Sequence, residues 1–108
     1  MSRGDAAHRT LHDLAHCRAG DKGDTSILSV FAYRAGDYPL LVDRLTPQAV
    51  AAHLRERVRG PVTRHLVPGQ HALQFVCEHA LGGGVTTSTA LDAHGKAMAF
   101  ALLAMPID

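Results

Sequence analysis

The chain has 108 residues, 46% hydrophobic and 19% charged, a balance that fits one globular domain around one core and excludes a disordered chain. Eleven Lys and Arg against ten Asp and Glu leave a formal net charge of +1, too weak a field to draw nucleic acid or anionic lipid nonspecifically. With no Trp, two Tyr and three Phe, stacking platforms for single strands are few; with no apolar run near ~18 residues and no signal-like start, the expectation is a cytoplasmic protein with no membrane span.

Residues 1–10 read as a flexible N-terminus and 11–108 as the domain. From Leu11 to Cys17 the apolar spacing is mixed: Leu11, Asp13, Ala15 and Cys17 share one strand face, His12, Leu14 and His16 the other, with a short helix as the competing reading. Cys17 and Cys77 read as reduced thiols of the core, Cys17 being the one beside a polar run. That run, Arg18 to Ser26, packs two glycines and four charges between apolar stretches. Gly20 and Gly23 allow positive φ, so backbone N–H groups can turn into one concavity flanked by Arg18 and Lys22, with Asp21 and Asp24 to orient those cations or hold protons. The same residues also suit an ordinary charged hairpin turn. Both readings stand on composition.

Thr25 to Tyr33, rich in β-branched and aromatic residues, reads as a strand. Ala35 to Tyr38 is a turn signal, and Pro39 predicts an extended Tyr38 before the apolar Leu40 to Val42. Thr46-Pro47 is a helix start, and the helix is expected to run to about Arg59 with Val50, Leu54 and Val58 on one face until Gly60-Pro61 ends it. Val62 to Val67 reads as a strand stopped by Pro68-Gly69. Ala72 to Leu81 fits both an alternating strand and a helical stripe; the stripe matches more positions and Gly82 stands where a C-terminal cap belongs, so a helix is expected. Val85 to Leu91 and Ala97 to Met105 read as two strands joined by the turn Asp92 to Lys96. The resulting order, strand-strand-helix-strand-helix-strand-strand, predicts an α+β, ferredoxin-like sandwich: a mostly antiparallel sheet of four to five strands with two helices on one face.

Three segments carry a resemblance. Ala15-His16-Cys17-Arg18-Ala19-Gly20-Asp21-Lys22-Gly23-Asp24 resembles the Ala-His-x-Arg-Ser-Gly-Asp-Lys-Gly-Asp run of the AtuA-like domain, the C-terminal part of acyclic terpene utilisation protein A. Ala72-Leu73-Gln74-Phe75-Val76 and Ala80-Leu81-Gly82-Gly83-Gly84 are similar to a second pair of its segments, and Leu91 to Lys96 with Leu102 to Met105 to its ending. Ala19 and Gln74 depart from the frequent Ser and Asn. The resemblance spans about residues 11–107 and implies a ferredoxin-like fold. It also implies a setting in catabolism of branched or terpenoid acyl-CoA compounds, and pairing of this chain with a larger AtuA-like protein.

The candidate chemistry follows. Arg18, Gly20, Asp21, Lys22, Gly23, Asp24 and Thr25, with Gly82, Gly83 and Gly84, are candidates for holding a ligand or partner; Gly82 to Gly84 also suit a helix cap followed by a bulge. Neither glycine run has the order of a P-loop, and Asp21 to Asp24 lacks the alternation of a calcium loop. His8, His12 and His16 would share one helical face, but in a strand His12 and His16 stand ~13 Å apart, so no metal and no cofactor is expected. An enzyme would use His16, Asp21, Lys22 and Asp24, with Arg18 or Lys22 stabilising an enolate or thioester oxygen. The competing reading, favoured because so small a sheet offers only a shallow pocket, is an accessory subunit docking through the same loop. An acyl-CoA or another anionic small molecule suits either, and exposed sheet edges suit a homodimer or higher homo-oligomer.

Overall fold

A computed structural model of the chain describes residues 9–80 and 97–108. Thr10 opens a single helical turn, α1 (Leu11–Leu14), its N–H donating to the Asp13 carboxylate at 2.9 Å. Leu11 and Leu14, three residues apart, are both buried, and the chain then extends into β1 (Ala15–Lys22). The mixed spacing before Cys17 is thus a helical turn joined to a strand.

β2 (Thr25–Ala32) runs antiparallel to β1, from Ala15 opposite Ala32 to Lys22 opposite Thr25. Only Gly23 and Asp24 remain for the turn; Gly23 takes φ +62°, the first central position of a tight hairpin where glycine escapes a Cβ clash. After a 3-10 turn (Ala35–Asp37), α2 spans Tyr38–Arg44. Tyr38 is helical, φ −59° and ψ −45°, not extended as Pro39 predicts. Proline is tolerated in a first helical turn, where its missing N–H has no partner to lose, and Tyr38 is pinned by its hydroxyl donating to the Ala72 carbonyl at 2.8 Å.

α3 (Pro47–His53) starts as expected, Thr46 Oγ1 accepting from the Ala49 N–H at 3.0 Å, but ends six residues before Arg59. Val50, Leu54 and Val58 still bury one face. The chain must straighten because the N–H groups of Arg59 and Gly60 donate to the carbonyls of His79 and Glu78. β3 (Val62–Val67) and β4 (Ala72–Cys77) follow, joined by a 3-10 turn (Pro68–Gln70) and His71 at φ 49°.

Two further expectations are corrected. The segment from Ala72 forms a strand, not a helix, because β4 is paired on both sides, with β2 and β3; Leu73, Phe75 and Cys77 face the core at 0% exposure while half-buried Val76 on the other face gave the stripe its helical look. Residues 97–103, expected as a strand, form a helix, α4, with Met98 and Leu102 buried. Ala97 to Met105 contains no β-branched residue and is mostly Ala, Leu and Met, the strong helix formers. The expected strand from Val85 to Leu91, the turn Asp92 to Lys96, the Gly82 cap and Gly83 and Gly84 lie outside the described residues.

Among the described residues the sheet is four-stranded and antiparallel, in order β1-β2-β4-β3: two hairpins laid side by side in an α+β domain. Leu28, Val30, Leu73 and Phe75 pack with Leu41, Leu45, Val50, Leu54, Met98 and Leu102 in one cluster, so the helices cover one face. At ~25 cal/mol per Å² of apolar surface this cluster is the main stabilising element. Arg64 of β3 reaches across the same face to donate to the carbonyls of Val42 and Leu45 at 2.7 and 3.0 Å, satisfying the end of α2.

Candidate functional site

The charged run lies in the β1–β2 hairpin, and strand alternation divides it. His16, Arg18, Gly20 and Lys22 face away from the helices, opposite Phe31, Ser29, Ile27 and Thr25, whereas Cys17, Ala19 and Asp21 face the core side, opposite Val30, Leu28 and Ser26. His16 and Lys22 stand ~20 Å apart along β1 at ~3.3 Å per residue. The structure therefore does not bring His16, Asp21 and Lys22 into one catalytic group. Arg18, Ala19, Gly20, Lys22 and Gly23 are all exposed, at the edge of the sheet that the described residues form.

The backbone of that edge is also specified. The Tyr33 N–H donates to the Leu14 carbonyl at 2.9 Å and the Ala32 N–H to the His71 carbonyl at 3.0 Å, so odd-numbered residues of β2 bond toward β1 and even-numbered ones toward β4. Antiparallel alternation then turns the N–H and C=O of Cys17, Ala19 and Asp21 outward, away from β2. Among the described residues no strand pairs with that edge.

What does converge is at the hairpin tip. His79 Nδ1 lies 3.2 Å from Asp24 Oδ2, and His79 is held in the left-handed region at φ 54°, where a non-glycine residue is uncommon. The strain is fixed from several directions: the Ala80 N–H donates to the Asp24 carbonyl, the Arg59 N–H to the His79 carbonyl, and Gly60 lies so close that a Cβ there would meet His79 Cδ2 at 2.6 Å. Asp24 thus fixes the ring through Nδ1, on a side chain 67% exposed. No sequence pattern singles out His79; its pairing depends on β4 being a strand, which carries it to the tip.

Close by, Asp21 Oδ1 and Ser26 Oγ are buried without a hydrogen-bond partner, directly opposite one another across the ladder. Leaving such groups unpaired costs ~1–3 kcal/mol each. Burial pushes the thiols up, Cys17 to about 12 and Cys77 to about 11, so both are protonated at neutral pH and poor nucleophiles. A shallow, polar hollow of about 380 Å³ opens at the other end of the sheet, lined by Arg9, Asp13, Leu14, Tyr33, Arg34 and Asp37. Among the described residues no group of three His, Cys, Asp or Glu is placed to hold a metal ion, and no helix is long and apolar enough to cross a membrane.

The family model of the AtuA ferredoxin-like domain matches residues 9–108. No curated protein and no solved structure matches the chain.

Proposed function

Because the chain belongs to the AtuA ferredoxin-like domain family, we propose that it is an accessory or binding domain working beside a larger AtuA-like protein in catabolism of branched or terpenoid acyl-CoA compounds. One observation carries the reading: Arg18, Ala19, Gly20, Lys22 and Gly23 of the hairpin stand exposed at a sheet edge whose outward backbone groups have no paired strand among the described residues. Such an edge accepts a strand from a partner, main-chain bonds giving affinity and the exposed side chains selectivity. Gly82 to Gly84 would belong to the same partner contact, and a second copy of this chain is the competing occupant of the edge.

The test is co-purification with a larger AtuA-like protein, with native mass as the readout. Ala19→Pro removes an outward N–H while sparing the β1–β2 ladder. A mixed complex in the parent chain that is lost in Ala19→Pro supports the reading; a chain that stays alone, or pairs only with itself, defeats it.

A second reading, a small enzyme acting on an acyl-CoA or a carboxylate, draws on Asp24 and His79. An exposed imidazole oriented through Nδ1 by a carboxylate has the arrangement of a general base. Turnover by the isolated chain that His79→Ala abolishes would establish it.

A further inference from the structure

The face of the sheet turned away from the helices has a composition of its own. Every fully buried strand residue except Ala72 lies on the helix-covered side. On the opposite side the four strands present no Asp or Glu, while Arg18 and Lys22 both stand there exposed. Its apolar centre, Ile27 beside Val76, is half-buried. At one end His16 stacks on Phe31, ring centroids 5.0 Å apart and planes 16° apart, and Tyr33, 60% exposed, leans on His16 at 5.7 Å.

From this we infer that the open sheet face binds the nucleotide unit of an anionic ligand, its base on the His16–Phe31–Tyr33 platform and its phosphates on Arg18 and Lys22. Charge fixes the sign of the ligand, since the strands place two cations on this face and, among their described residues, no carboxylate. The rings fix its shape, because an exposed stack offers a planar partner π contact that an acidic peptide or inorganic anion cannot use. Spacing fixes the order of parts: Arg18 is the next residue on the face after His16, ~7 Å along the strand, within reach of a phosphate one ribose away from a stacked base, and Lys22 lies ~13 Å further for the rest of a polyphosphate chain. One platform takes one base, so a single nucleotide unit fits better than a strand of nucleic acid. Such a unit is shared by free nucleoside diphosphates and by coenzyme A.

The inference deepens the acyl-CoA part of the proposed function but does not use the strand edge, so the two fail separately. Ala19→Pro is expected to abolish partner capture and leave nucleotide binding intact. The experiment is an NMR and calorimetric titration of the full chain at low salt with ADP, coenzyme A, pyrophosphate and a thymidine oligonucleotide. The expected result is binding of ADP or coenzyme A with shifts at His16, Phe31 and Tyr33, weakened by about 10-fold or more in Tyr33→Ala and in Arg18→Ala. Tyr33 is exposed and outside the core, so its truncation leaves the far-UV spectrum unchanged as a check on folding. Tighter binding of coenzyme A than of ADP assigns the face to the coenzyme, and equal binding to free nucleotides. The inference is overturned if ADP and coenzyme A do not bind at millimolar concentration, if binding survives both substitutions, if pyrophosphate binds as tightly as ADP, or if the oligonucleotide outcompetes it.

Discussion

Gly60→Ala is expected to destabilise the domain even though nothing about glycine's backbone freedom is at stake there. A Cβ at residue 60 would lie 2.6 Å from His79 Cδ2, 2.8 Å from the Glu78 carbonyl oxygen and 3.0 Å from its carbon. The imidazole can rotate away, but the Glu78 carbonyl is fixed, since it accepts from the Gly60 N–H itself at 3.0 Å. The clash therefore separates the segment leading into β3 from the end of β4 and withdraws His79 from Asp24. Overpacking of this kind costs ~1–3 kcal/mol, against which the lower entropy of an unfolded chain carrying Ala returns ~0.4–1 kcal/mol. A net loss of about 1–2 kcal/mol is expected, and each kcal/mol lowers the melting temperature of a domain this size by roughly 4–8 °C. Urea unfolding of the two proteins, read by circular dichroism, measures it. His79→Ala in the Gly60→Ala background should recover only part of the loss, because the carbonyl contact persists. A Gly60→Ala protein as stable as the parent would refute the close approach and, with it, the clamp described for His79.

Three further outcomes are expected. Thr46→Ala removes the oxygen that accepts from the Ala49 N–H and should cost ~1 kcal/mol in urea unfolding. Cys17 and Cys77 should react slowly with a thiol reagent at pH 8 in the native chain and rapidly in denaturant; because their folded values, about 12 and about 11, exceed the ordinary 9.0, the stability tied to them is complete below pH 9 and falls as pH climbs through 11 to 12. The hydrogen bond and charge of Arg9 hold the Asp108 carboxyl below its ordinary 3.8. The contribution of that pair is then present above about pH 4 and lost as pH falls through the lowered value, and hydrogen exchange of the Ile107 N–H, which donates to the Arg9 carbonyl, should accelerate in Asp108→Asn.

Much of the fold was legible in the chain because local chemistry and tertiary structure agree there. Thr46-Pro47 starts a helix and Pro68-Gly69 stops β3 where it stands, and Val62 to Val67 alternates as an edge strand does, whereas α3 ends at His53, well before Gly60-Pro61. The failures have separate causes. Periodicity assumes one wet face, and β4, flanked by two strands and half-covered on its outer side, has none. α4 is apolar even on its outer side, where Phe100 is 71% exposed, so only its lack of β-branched residues distinguishes it from a strand. The candidate site was legible as a place rather than as an arrangement. Glycine and charge marked the hairpin, but a two-residue turn sends alternate side chains to opposite faces, which parts Asp21 from Arg18 and Lys22. It also leaves Asp24 for a histidine 55 residues away, a partnership that no local pattern encodes.

The strand order has a kinetic meaning. β1 with β2 and β3 with β4 are each joined by a short turn, so each pair can form within microseconds of local search. The seam between them, β2 against β4, joins Ser26 to Cys77 and Phe31 to Ala72 and closes a loop of roughly 40–50 residues, a closure entropy that must be met before any contact across it rewards the chain. Leu28 opposite Phe75 and Val30 opposite Leu73 sit on that seam and are also the centre of the core, so the domain acquires its hydrophobic interior and joins its two hairpins in a single event, with little hydrophobic stabilisation available to either hairpin before it.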